Sequence, residues 1–148
     1  MASETERHSL RRCWPRLKAT HSMRLLLETR ILPWCLVDHP ALSGQTRALI
    51  ADPTNQIYIS AISLWALAIK TQLGKRSGHV SEIHAVAQAN GFLPLPFALD
   101  HAIAVAGLPM HHRDPFDRAL IAQAHCEPLD LLTHDQALVA YGTSIILV

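Results

Sequence analysis

Beyond residue 22, short apolar runs of strand length alternate with segments whose apolar positions recur at helical spacing, the pattern of a βαβ chain on a parallel sheet. The runs predict strands over residues 24–27, 57–60, 92–95, 129–133 and 144–148. Ser43 is placed to cap a helix reaching about Ala51, closed by Pro53, and Ser63 to cap one reaching about Leu73, ended by Gly74. Ser81 and Gly91 frame a third helix, and Asp100 begins or lies early in a fourth that stops before Pro109. Asp114 followed by Pro115 is a helix start, because proline fits the first helical position and the aspartate accepts from a free amide. That helix ends before Pro128, and a last short one follows Asp135 and ends near Gly142. Trp34 and Cys35 fall in a helix just after the turn at Glu28, while Trp65, Leu64, Ile69 and Leu73 share helical spacing and suit core or dimer contacts.

With 148 residues, 49% hydrophobic and 17% charged, the chain suits one packed α/β domain and excludes a wholly disordered one. No apolar stretch nears the roughly 18 residues that would span a bilayer, so no membrane association is expected. Three cysteines, Cys13, Cys35 and Cys126, form no CxxC pair, which suggests neither a disulfide framework nor a zinc ribbon and points to a reducing cytoplasm. Residues 1–22 lack sustained periodicity and carry five basic residues against two acidic ones; they read as a disordered extension, or as the product of a start assigned too far upstream. Residues 23–148 form the domain and hold eight basic residues against ten acidic ones. Such a body grips a polyanion only through a local basic patch or a bridging cation.

Parallel sheets bind ligands beyond the carboxyl ends of their strands. Glu28 follows Leu25–Leu27, Asp135 follows the strand ending at Thr133, and Asp114 with Asp117 opens the helix before that strand. The aspartates also have a plain reading as helix caps and first-turn charges. Glu28, against the end of a buried strand, must be solvated, paired or bound to a metal. Carboxylates that converge repel one another, and a hard divalent cation such as Mg²⁺ settles them, activates water and binds phosphodiester oxygens. His111 and His112 precede Asp114 in what reads as a solvated loop, since adjacent histidines make poor co-ligands. Arg113 and Arg118 flank the acids, where they suit phosphate or pairing with Asp114 and Asp117.

The strings LLLETR, ISAISLWALAIK, LPMHHRDPFDRALIAQA and LLTHDQALVAYG, in this order, resemble the successive motifs of PIN-domain proteins, the VapC toxins of type II toxin–antitoxin systems. The resemblance spans residues 23–148. It implies a three-layer α/β sandwich around a parallel sheet, Mg²⁺- or Mn²⁺-dependent endoribonuclease activity on RNA, a cognate antitoxin as partner, and a homodimer. It also implies that Asp117, Asp135 and Glu28 are catalytic acids and metal ligands, Glu28 in place of an aspartate, and that Asp114 is a further acid of the subfamily and a metal ligand. Arg30 stands where the family's histidine follows that acid, and Ala66 where its helix glutamate lies. Ala66 removes a carboxylate altogether, leaving Lys70, four residues on, without the partner this spacing provides. The expectation is therefore a nuclease impaired by a partial site, with a degenerate domain that binds antitoxin or RNA without cutting as the alternative.

Overall fold

The computed structural model describes residues 22–148. The expectation for residues 1–22 thus falls, apart from Ser22, outside the described residues. Five strands, β1 (Arg24–Leu27), β2 (Gln56–Ser60), β3 (Leu93–Leu95), β4 (Asp130–Thr133) and β5 (Ile145–Leu147), form one sheet in the order β3-β2-β1-β4-β5. Every pairing is parallel. Among the described residues the α-helices are α1 (Ile31–Leu36), α2 (Gly44–Ala51), α3 (Ala61–Gln72), α4 (Val80–Ala89), α5 (Leu99–Ala106) and α6 (Pro115–Cys126), and a 3-10 helix, Gln136–Tyr141, links β4 to β5.

β1 explains the three layers. Leu25, Leu26 and Leu27 are all fully buried, and successive side chains of a strand point to opposite faces. Leu25 and Leu27 pack with Ile31, Leu32, Ile50 and Ile83 of α1, α2 and α4; Leu26 packs with Leu120, Ile121 and Ala124 of α6. A continuous apolar run is what a strand buried on both faces requires. Each such leucine contributes roughly 1.5–3 kcal/mol relative to exposure.

Several expected helix starts move. The helix assigned to a Ser63 cap begins at Ala61, and its cap is Ser60, whose Oγ accepts from the Ile62 amide at 3.0 Å. β2 runs into α3 without a loop, so the last strand residue does the capping and Ser63 is buried one turn inside. Similarly, α4 starts at Val80 after His79, which makes no side-chain cap bond, so Ser81 lies within the helix. Asp100 is the second residue of α5, where His101 Nδ1 accepts the Ala98 amide at 2.9 Å. The Asp114-Pro115 start holds: Asp114 Oδ1 accepts from the amides of Phe116 and Asp117 at 2.8 and 3.2 Å. Trp34 and Cys35 lie in α1 as expected. Trp65 and Leu73, however, are exposed rather than core, with the Trp65 indole edge-on to Phe116.

Candidate active site at the carboxyl ends of β1 and β4

The chain leaves β1 toward β2 and β3 on one side and returns to β4 and β5 on the other, so the strand order reverses beside β1. A crevice opens beyond the strand ends at such a point. Glu28 ends β1, its amide still held by Leu132 O of β4 at 3.0 Å, while its carbonyl takes the first amides of α1. Asp135 follows β4 by two residues and caps the 3-10 helix, with Oδ1 accepting from the Ala137 amide at 3.0 Å. Asp117 sits in the first turn of α6, which delivers it to the same place.

There Asp117, Asp135 and His112 converge. His112 Nε2 lies 2.9 Å from Asp117 Oδ2 and 4.0 Å from Asp135 Oδ2, and the ligand atoms of the three all fall within 4.8 Å of one another. A cleft of about 410 Å³ adjoins them, lined by Glu28, Ala66, Lys70, Lys75, Asp114 and Asp117 among others. Glu28 therefore shares the cleft with Asp117 but is not one of the close three. It is 4% exposed, and its Oε2 accepts from the Arg30 amide at 3.2 Å, with the Arg30 guanidinium 3.9 Å from Oε1.

The electrostatics are those of carboxylates forced together. Burial, and then the charge of Asp117, push the Glu28 carboxyl up to about 7, against lowering by Arg30 and Lys70. Asp117 is also raised, by burial first and by Asp114 next, with Asp135 adding and His112 opposing. Carboxyls raised in this way are relieved by holding a proton or by a bound cation. The donor set fits such a cation: Asp117, Asp135 and Glu28 offer the hard oxygens that Mg²⁺ or Mn²⁺ takes. Ala66 lies in the cleft wall and offers nothing there, whereas Lys70 directs its charge at Glu28.

Three sequence expectations need correction. His112 is half-buried on the two aspartates rather than in a solvated loop, because the fold brings the end of its loop onto the first turn of α6 and the residue after β4. Only His111 stays exposed, edge-on to the Tyr141 ring. Arg118 contacts neither the cleft nor the side chains of Asp114 and Asp117, because its position on α6 turns it inward onto the carbonyls of Val105, Leu108 and Pro109 and the Tyr141 hydroxyl. Asp114 stays outside the close group, one oxygen committed to the helix cap, and acts on it through charge. Arg113 is exposed beside it. Tyr141 carried no signal in the sequence, because its role depends on residues brought together only by the fold.

Comparison with protein-family models returned no match, and comparison with curated proteins returned none either. Solved structures do match. VapBC2 from Rickettsia felis bound to a DNA fragment from their promoter aligns with TM-score 0.61 and 19% identity over 84% of this chain and 97% of that chain. A toxin–antitoxin complex from Klebsiella pneumoniae aligns with TM-score 0.57 and 18% identity over 82% of this chain and 95% of that one. FitAcB from Neisseria gonorrhoeae aligns with TM-score 0.55 and 18% identity over 82% and 96%. The likeness establishes a shared fold, the PIN-like α/β sandwich with a central parallel sheet that the sequence motifs implied.

Proposed function

We propose that this chain is a metal-dependent endoribonuclease of the VapC toxin type, with a cognate antitoxin as partner and catalysis impaired by the missing acid at position 66. The observation that carries the reading is the convergence of Asp117 and Asp135, with Glu28 on the same cleft, at the point where the strand order reverses. Support for the partner comes from fold neighbours that are themselves toxin–antitoxin complexes. A homodimer belongs to the same reading: Trp65, Leu99, Ile103 and Met110 are 58, 84, 74 and 72% exposed, and large apolar side chains left in water favour a protein partner. No helix among the described residues is long and apolar enough to cross a membrane. A cytoplasmic setting is in keeping with Cys35 and Cys126, both free thiols.

Asp117, Asp135 and Glu28 would hold the cation. Once bound, Mg²⁺ or Mn²⁺ supplies Lewis-acid chemistry, drawing phosphodiester oxygens and making water more acidic. Glu28, a carboxylate on the same cleft, can accept a proton from attacking water. Lys70, Lys75 and Arg30 line the cleft and provide the positive charge that attracts an RNA backbone. Arg113, exposed beside the acids, suits a flanking phosphate.

The second reading, a domain that binds antitoxin or RNA without cutting, rests on Ala66 in the cleft wall. Cleavage of a mixed RNA pool separates the two. The nuclease reading expects slow cleavage with Mn²⁺ or Mg²⁺, stopped by chelation and by Asp117→Asn. Absence of cleavage, with RNA or antitoxin still bound, would favour the binding domain.

A further inference from the structure

The loop that carries His112 is fastened from behind by two buried residues that line no part of the cleft. Arg118, 8% exposed, donates from Nη1 to Pro109 O at 2.9 Å and from Nη2 to Val105 O and Leu108 O at 3.2 and 3.3 Å. The same Nη1 reaches the Tyr141 hydroxyl at 3.1 Å. Tyr141, 7% exposed, donates that hydroxyl to Pro109 O at 2.9 Å and accepts the main-chain N–H of His112 at 3.0 Å. A guanidinium buried against carbonyls is desolvated at a cost that its hydrogen bonds must offset. Its consequence is a backbone fixed at position 112.

The imidazole so placed is hydrogen-bonded through Nε2 to Asp117 Oδ2 at 2.9 Å and lies 4.0 Å from Asp135 Oδ2, with all three ligand atoms within 4.8 Å, so a shared cation would replace that hydrogen bond. Donors at about 2.1 Å from one ion lie about 3.0 Å apart when adjacent and about 4.2 Å apart when opposite. The spacing therefore suits three donors around one cation. Mg²⁺ takes oxygen donors, whereas imidazole raises affinity for the later first-row ions. A site whose wall at Ala66 offers no carboxylate and that gathers an imidazole beside two aspartates shifts in that direction.

Resting on the nuclease reading above, we infer that His112 is a nitrogen ligand of the same centre and biases it from Mg²⁺ toward Mn²⁺ and other transition ions. Arg118 and Tyr141 are positioning residues for that ligand.

The test uses the full chain with Mn²⁺ alone or Mg²⁺ alone, reading ¹⁴N coupling to bound Mn²⁺ by pulsed electron paramagnetic resonance and both affinities by calorimetry. Wild type should show an imidazole ¹⁴N coupling that His112→Ala and His112→Gln abolish. Mn²⁺ affinity should fall on the order of ten- to a hundredfold in both variants, and Mg²⁺ affinity by no more than about threefold. If His112→Ala fails to fold by circular dichroism, the glutamine variant decides. Tyr141→Phe should weaken the coupling while metal still binds; an unchanged coupling would remove the positioning role. Mn²⁺ bound in an Asp117-dependent way, without ¹⁴N coupling and with equal affinity in the His112 variants, would overturn the inference and leave the nuclease reading standing. Failure of both ions to bind in an Asp117-dependent way would overturn both.

Discussion

Two groups of His, Asp and Glu side chains draw their ligand atoms within 4.8 Å among the described residues, and they sit at opposite ends of the sheet. One is His112 with Asp117 and Asp135 at the carboxyl ends; the other is His101 with Asp100 and Glu127, near the start of β1, where Arg24 Nη1 donates to Glu127 O at 2.9 Å. Composition does not distinguish them. Hydrogen bonding does: His101 is 2% exposed, and its Nδ1 accepts the Ala98 amide, so Nε2 carries the proton and donates to Glu127 Oε1 at 2.8 Å. One nitrogen caps the start of α5 and the other ties α5 to the end of α6. At the other end, burial and mutual repulsion raise the Glu28 and Asp117 carboxyls, which face a cleft, and this is where the proposed reading puts the cation. The contrast teaches that satisfied donors mark structure and that unresolved charge beside a cleft marks chemistry.

The largest effect that would sharpen this contrast is rescue at the carboxyl end. Glu28→Asp with Ala66→Glu should raise metal-dependent RNA cleavage on the order of a hundredfold, since one transition-state contact commonly supplies a few kcal/mol. Ala66→Glu should contribute the larger share, because it returns a carboxylate to the cleft wall, near Lys70. Rates of the single and double variants on one RNA pool check this; a wild type that already cleaves as fast as the double variant, in an Asp117-dependent way, would show that the site is not impaired.

Next comes pH. Glu28 has its folded-state value raised from 4.5 to about 7, so the folded protein holds that proton more tightly than the unfolded chain. Its contribution is full below pH 4.5 and is lost as pH rises to about 7, on the order of 3 kcal/mol without metal. Urea unfolding across that window should show the fall, and Glu28→Gln should flatten it. A wild-type profile without the fall would mean that Glu28 is solvated.

At the structural group the expected effect is smaller. His101→Ala should cost about 2 kcal/mol by removing a buried side chain together with its bond to the Ala98 amide and its Glu127 contact, measured by urea unfolding, with cleavage per folded molecule unchanged. A loss of cleavage in the folded variant would erase the distinction between the two ends. Smallest of all, a chain starting at Met23 should unfold within a few degrees of the full chain, because Met23 already anchors β1 through its amide on Asn55 Oδ1 at 2.8 Å.

The sequence reveals the sheet and the acids because their signals are local. Leu25–Leu27 form an unbroken apolar run, Asp114-Pro115 states its own helix start, and the acids that end β1 and follow β4 are positioned by strand length alone. Ser60 and Ser63 both precede apolar helical positions, so the cap passes to whichever residue ends the strand, a matter of sheet register. His112, Arg118 and Tyr141 were beyond reach for a different reason. Tyr141 lies 23 residues from Arg118 and 29 from His112 in sequence, and only the packing of the 3-10 helix against α6 and its preceding loop tells an inward arginine from a phosphate-facing one.

The most direct measurement is Mn²⁺ binding by calorimetry to wild type, Asp117→Asn and Glu127→Gln, two neutralised carboxylates from the two ends. If the cation centre lies beyond β1 and β4, Asp117→Asn should lose on the order of tenfold or more in affinity while Glu127→Gln matches wild type. Equal affinities in all three, or a loss confined to Glu127→Gln, would contradict the account.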